Sequence, residues 1–170
     1  MGQSVSAYFL TFTTYGTWLH GRETGSVDRQ HNAFETPIVP SNDERNRSEQ
    51  ARMRYGEYIL DEPRRCCVLQ AVREQANYRR WLLWAIHVRS NHVHVVLSAA
   101  SVTPERIMIQ LKAWSSRRLR ESFDEDADRI LWTRHGSTRY LWDEEARSNA
   151  INYVIDRQGE PMAVFPRSTE

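Results

Sequence analysis

The stretch WLLWAIHVRSNHVHVVLS, residues 81–98, decides the fold. WLLWAIHV reads as a β-strand, RSN as a turn and HVHVVLS as its antiparallel partner, a hairpin rich in β-branched and apolar residues. Side chains alternate across a strand, so His92 and His94 share one face while Val93, Val95 and Leu97 fill the other. The two imidazole Cβ atoms then lie roughly 7 Å apart, near enough for both rings to meet one ion. A lone histidine on such a strand is more often a half-buried ring bonded to its neighbours. A pair on one face, between β-branched residues, suits transition-metal ligation, since neutral imidazole is a common ligand. Two ligands do not make a site, so a third must come from elsewhere in the chain.

Outward from the hairpin, AYFLTFTTYGTWL (7–19) is β-branched and aromatic and predicts a first strand ending near Gly16. Residues 20–60 are rich in Gly, Pro, Asn and charge with little periodicity, which predicts a surface insertion. A short helix over 47–58 is expected within it, capped by Ser48, and Pro63 is expected to stop what precedes it. Val68, Leu69, Val72 and Ala76 recur at helical spacing over 66–79. Thr103 and Pro104 open a second helix, with Ile107, Leu111, Trp114 and Leu119 on or near one face. STRYLWD (137–143) is extended. Asp143 caps a last helix over 144–158, which Gly159 and Pro161 terminate. The order predicts an α+β domain of the β-α-β-β-α-β kind: a ferredoxin-like antiparallel sheet with helices packed on one face. The histidines stand on the other face, and the active site is expected on the sheet plus the C-terminal helix.

Composition bounds the rest. The chain of 170 residues, 40% hydrophobic and 11% aromatic, suits one folded domain spanning 1–170. No apolar run approaches the roughly 20 residues of a membrane span, and MGQSVSAYFLTFTT lacks the pattern of a signal peptide. Cys66 and Cys67 are adjacent, poor disulfide partners and too few for a zinc site, which suits a reducing cytoplasm. Net charge is +1, neither demanding nor forbidding nucleic acid, but of 23 basic residues only Lys112 is lysine. Arginine is the better phosphate fork, although a GC-rich genome also favours its codons.

SNHVHVVLS resembles the His-hydrophobic-His motif of the HUH endonucleases, and its leading Asn91 is common in their single-tyrosine transposases. YFLTFTTYGTWL is similar to the opening strand of relatives associated with repetitive extragenic palindromes. QLKAWSSRRL resembles their helix after the motif, and HGSTRYLWDEEARSNAINYVIDRQG the segment carrying their nucleophile. The likeness spans most of the chain except about 23–60. It implies a bacterial, metal-dependent, single-stranded DNA endonuclease and strand transferase that uses a tyrosine nucleophile and recognises hairpin DNA. The cofactor implied is Mg²⁺ or Mn²⁺.

Tyr140 and Tyr153 are the only tyrosines after the histidines. Tyr140 sits in an extended segment where aromatics commonly pack. Tyr153 sits on the last helix, and Ala150, Ile151, Val154 and Ile155 centre roughly 130° around from it. It leans off the apolar stripe, so Tyr153 is the expected nucleophile. The third metal ligand in relatives is an amide one helical turn later. Here that position is Arg157, which cannot bind a cation. Family identity points to Gln158, one residue late; ideal helix geometry points to Asp156, a hard oxygen donor.

For DNA, the expected contacts are Lys112, Arg117, Arg118 and Arg120, with Arg134, His135 and Arg139 near the last strand and Trp18 available for stacking. His87 either approaches the metal or simply packs. Two other readings stand beside the transposase. One is a non-catalytic module that binds hairpin nucleic acid, suggested by Arg157. The other is a replication-type nickase, for which 170 residues leave no room for a helicase domain. Relatives include monomers and homodimers that exchange the Tyr-bearing helix.

Overall fold

Asp61, Thr103 and Asp143 each precede a helix, and two of them close its first turn through the side chain. In the computed structural model, which describes residues 5–17 and 55–166, Asp61 accepts from the Arg64 N–H at 3.0 Å and opens α1, Glu62–Arg79. Pro63 sits in the first turn of that helix, where a missing N–H costs nothing. It starts α1 rather than stopping an earlier element, and the helix begins four residues before the apolar period that predicts it. Arg80 ends α1 in the left-handed region, its N–H returning to the Ala76 and Asn77 carbonyls.

Thr103 precedes α2, Pro104–Phe123, with extended backbone but no side-chain cap; Pro104 takes the first turn. Asp143 caps α3, Glu144–Asp156, accepting from the Ala146 N–H at 2.7 Å. The strands are β1 (Ala7–Thr13), β2 (Leu82–Val88), β3 (His92–Ser98), β4 (Ser137–Leu141) and β5 (Ala163–Phe165). They form one sheet in the order β4-β1-β3-β2-β5, every neighbouring pair antiparallel. The α+β, ferredoxin-like architecture is as expected, with β5 added at the β2 edge.

Alternation sorts the sheet into two faces. Tyr8, Leu10 and Phe12 of β1, Ile86 and Val88 of β2, and Val93, Val95 and Leu97 of β3 join the buried core under α1 and α2. Ala7 and Phe9 of β1, Ala85 of β2 and Val96 of β3 pack against Ala150 and Val154 of α3 on the opposite face. A bulge between Leu83 and Ala85 turns Trp84 and Ala85 toward that face together. In α2 the inward stripe is Ile107, Met108, Leu111, Ser115 and Leu119. Trp114 lies half-buried beside it and donates its indole N–H to Glu74 at 3.1 Å.

Trp18, the end of the expected first strand and most of the expected insertion lie outside the described residues, as does the expected helix up to residue 54. Its remaining part, 55–58, is not helical. There Tyr58 is buried and donates its hydroxyl to Glu125 at 2.9 Å.

Candidate active site

Three elements far apart in sequence meet on the α3 face. β3 presents His92 and His94, whose ring centroids are 4.7 Å apart. β1 lies beside them, pairing Thr11 with His94 and Thr13 with His92. The Nδ1 of His94 is 2.8 Å from the Thr11 hydroxyl, and the Nδ1 of His92 donates to the Asn91 side-chain carbonyl at 2.7 Å. A proton fixed on Nδ1 puts the lone pair on Nε2, the outer-shell arrangement that orients ligating histidines. Burial pushes the His92 ring down to about 4, aided by the Arg89 charge, while the nearby Gln158 amide, an acceptor for the protonated ring, pulls the other way. His94 is pushed down to about 3, again first by burial and then by its imidazole neighbours His92 and His87. Both rings are therefore neutral at pH 7, the state that ligation requires.

Tyr153 of α3 stands half-buried over this pair. Its ring lies 5.9 Å from that of His94 and 5.9 Å from that of Phe9, both edge-on. Ala150 and Val154 carry the buried stripe of α3, so Tyr153 sits at its border, as its angular position predicts. A cleft of about 300 Å³ opens beside the phenol, lined by Phe9, Arg139, Asp143, Glu145, Asn149 and Tyr153 among others. The other tyrosine after the histidines, Tyr140, packs edge-on against Tyr8 and stacks on Trp142, on the α2 side of the sheet.

The helix ends at Asp156, and Arg157 leaves helical geometry at φ −111° and ψ 22°. Gln158 is thereby released from the direction an ideal helix would give it. Its side chain donates to the Tyr153 carbonyl at 3.3 Å and lies close enough to the His92 and His94 rings to influence their protonation. Asp156 and Arg157 are exposed. Among the described residues, no three His, Cys, Asp or Glu side chains are grouped to hold a cation. A metal would instead draw on two neutral imidazoles and an amide, a donor set suited to a divalent cation, and the residues present fit one.

Several expected DNA contacts are placed otherwise. Lys112 turns inward and donates to the Thr133 and His135 carbonyls, both at 2.9 Å; burial lowers its ammonium to about 8. It braces the loop before β4 rather than facing solvent. Arg117 pairs with Glu121 at 2.8 Å, and Arg118 with Glu74 and Glu121 at 3.4 and 3.3 Å. Arg120 donates to the Arg129 carbonyl. All four lie on α2, across the sheet from the histidines. Arg134 and His135 are exposed in the loop before β4, and only Arg139 reaches the cleft beside Tyr153.

Sequence reasoning did not single out Thr11 or Phe9 as parts of the site. The polar alternation of Thr11 and Thr13 between Leu10 and Phe12 was the signal available.

The sequence model of the family described as "Transposase IS200 like" matches residues 51–149. The matched span holds the histidine strand and ends ahead of Tyr153. Among solved structures, a candidate transposase of Deinococcus radiodurans R1 is similar at 15% identity and a TM-score of 0.47, with 89% of each chain covered. A REP-associated tyrosine transposase bound to a REP hairpin is similar at 8% identity and the same TM-score, covering 91% of this chain and 67% of that one. No curated protein matches the chain.

Proposed function

Because the chain belongs to the IS200-like transposase family, we propose that it cuts and rejoins single-stranded DNA beside a hairpin, with Tyr153 as nucleophile. The observation that carries this reading is the meeting of Tyr153 and Gln158 with His92 and His94 on one face of the sheet.

The Tyr153 phenolic oxygen attacks the scissile phosphorus. An oxygen–phosphorus bond forms, the phosphorus–oxygen bond to the 3′ carbon breaks, and the 3′ oxygen leaves as a hydroxyl. The product is a 5′-phosphotyrosine that conserves the energy of the bond for rejoining by a later 3′ hydroxyl. His92, His94 and Gln158 would hold Mg²⁺ or Mn²⁺, which when bound polarises the phosphate and offsets the charge that develops on it. Asn91 keeps the His92 ring in the ligating tautomer, and Thr11 fixes the orientation of the His94 ring. Arg139, at the mouth of the cleft, suits a backbone phosphate of the bound strand.

The test is to incubate the protein with single-stranded hairpin DNA and Mn²⁺ or Mg²⁺, then denature it. A covalent protein–DNA adduct is expected with the wild type and none with Tyr153→Phe. An adduct persisting in Tyr153→Phe removes Tyr153 from the role. No adduct with any of a broad set of hairpins would leave a module that binds hairpin DNA without cutting it.

A further inference from the structure

His87 pairs across the sheet with His94 and shares its face. It is fully buried, yet both ring nitrogens are taken by backbone. Nδ1 lies 3.0 Å from the Val154 carbonyl, which can only accept, so Nδ1 carries the proton. In the neutral ring Nε2 is then an acceptor, and the Met162 N–H donates to it at 3.1 Å. One tautomer satisfies both partners, and neither nitrogen has a lone pair to offer a cation. His87 is not a third ligand.

The two partners are telling. Val154 follows Tyr153, and its carbonyl belongs to the last turn of α3, where no further helical N–H exists to pair with it. The neighbouring Tyr153 carbonyl is met by the Arg157 N–H at 3.2 Å and by Gln158. The Val154 carbonyl is met by His87 from the sheet. Met162 then leads into β5, which pairs with β2. One ring thus clasps both ends of the segment 154–162, and that segment carries Gln158. An apolar side chain of similar volume would pack here but could make neither bond.

We propose that His87 is a positioning residue: its Nδ1–H bond to the Val154 carbonyl sets the last turn of α3 so that Tyr153 and Gln158 stand over His92 and His94. The inference rests on the assignment of Tyr153 and Gln158 made above.

The test uses two variants and the intact wild type. His87→Leu removes both bonds; His87→Asn keeps a donor near the Nδ1 position and loses the acceptor for Met162. The first readout is the nuclear Overhauser cross-peak between the Tyr153 and His94 rings, recorded without DNA or metal. The second is the rate of adduct formation, set against the Kd for single-stranded hairpin DNA. In His87→Leu the cross-peak is expected to vanish and the rate to fall about 10- to 100-fold, with Kd changed by no more than about twofold. His87→Asn should restore the cross-peak and bring the rate to within about fivefold of wild type. A cross-peak and rate that survive in His87→Leu, or that are lost equally in both variants, would overturn the proposal. The wild type alone gives a check independent of variant folding: ring ¹⁵N shifts should show the Nδ1–H tautomer, and the Nε2–H tautomer would sink it. A wild type that forms no adduct defeats the transposase reading, while the cross-peak and the tautomer still decide the role of His87.

Discussion

The imidazoles of His92 and His94 spend a hydrophobic strand's burial on groups that water would rather charge. Their positions were legible in a nine-residue stretch because alternation is a local rule. Their partners were not: Thr11 lies 83 residues away in sequence, and only the β1–β3 register brings its hydroxyl to Nδ1 of His94. Burial leaves a measurable trace. A histidine ordinarily titrates near 6.5, whereas His94 is held at about 3 and His92 at about 4. Below pH 6.5 the unfolded chain takes up protons that the folded rings refuse, so folding loses stability as pH falls from 6.5 toward 3. Nothing is lost above 6.5. At pH 5, His94 alone should cost about 2 kcal/mol relative to pH 7.5. Urea unfolding of wild type and His94→Asn at the two pH values reads this directly. The wild type should lose about 2 kcal/mol more on acidification than the variant, and an equal loss would show that His94 titrates normally in the folded chain.

At the scale of elements, α3 was legible to its last turn and no further. Asp143, the apolar stripe and Gly159 bound it from sequence, and 100° per residue placed Tyr153 at the edge of that stripe. The same rule carried past Asp156 sends Gln158 toward the apolar side and favours Asp156 as a ligand. For the direction of Gln158 the rule does not hold, because Arg157 has already left the helix and a single residue with non-helical dihedrals redirects everything after it. β5 was illegible for a related reason. Its three residues, Ala163–Phe165, are too few for a period to show, and the strand exists only through pairing with β2. The turn off the helix makes a sharp prediction about ligands. Gln158→Ala should weaken Mn²⁺ binding by about 10-fold or more, and Asp156→Asn should change it by less than about twofold. Calorimetric titration of Mn²⁺ into each variant distinguishes them, and the reverse order would return the site to Asp156.

The described part of the chain is a sheet with two different faces, and under the proposed function that difference would set where a strand of DNA lies. Sequence patterning showed basic residues on the helix after the histidines but could not show what stood opposite them. α1 supplies Glu74 to Arg118, and α2 supplies Glu121 to Arg117 and Arg118. Exposed pairs of this kind add little stability, but each carboxylate offsets the field of its arginine. The pairs also face away from Tyr153. Arg139 stands on β4, opposite Phe9 in the sheet, on the side of the phenol. An unstructured single strand that reaches Tyr153 should therefore feel Arg139 and be indifferent to α2. Affinity for single strands falls with salt by about 0.7 in log–log slope for each phosphate neutralised. Arg139→Ala should flatten that slope by about 0.7 and weaken binding whatever the base sequence. The double variant Arg117→Ala with Arg118→Ala should leave slope and affinity unchanged. Fluorescence anisotropy of a labelled, hairpin-free oligonucleotide from low to moderate salt measures both. If the α2 pair flattened the slope as much as Arg139 does, the strand would have to cross the sheet edge onto the helical face, and the cleft beside Tyr153 would lose its place as the path of the DNA.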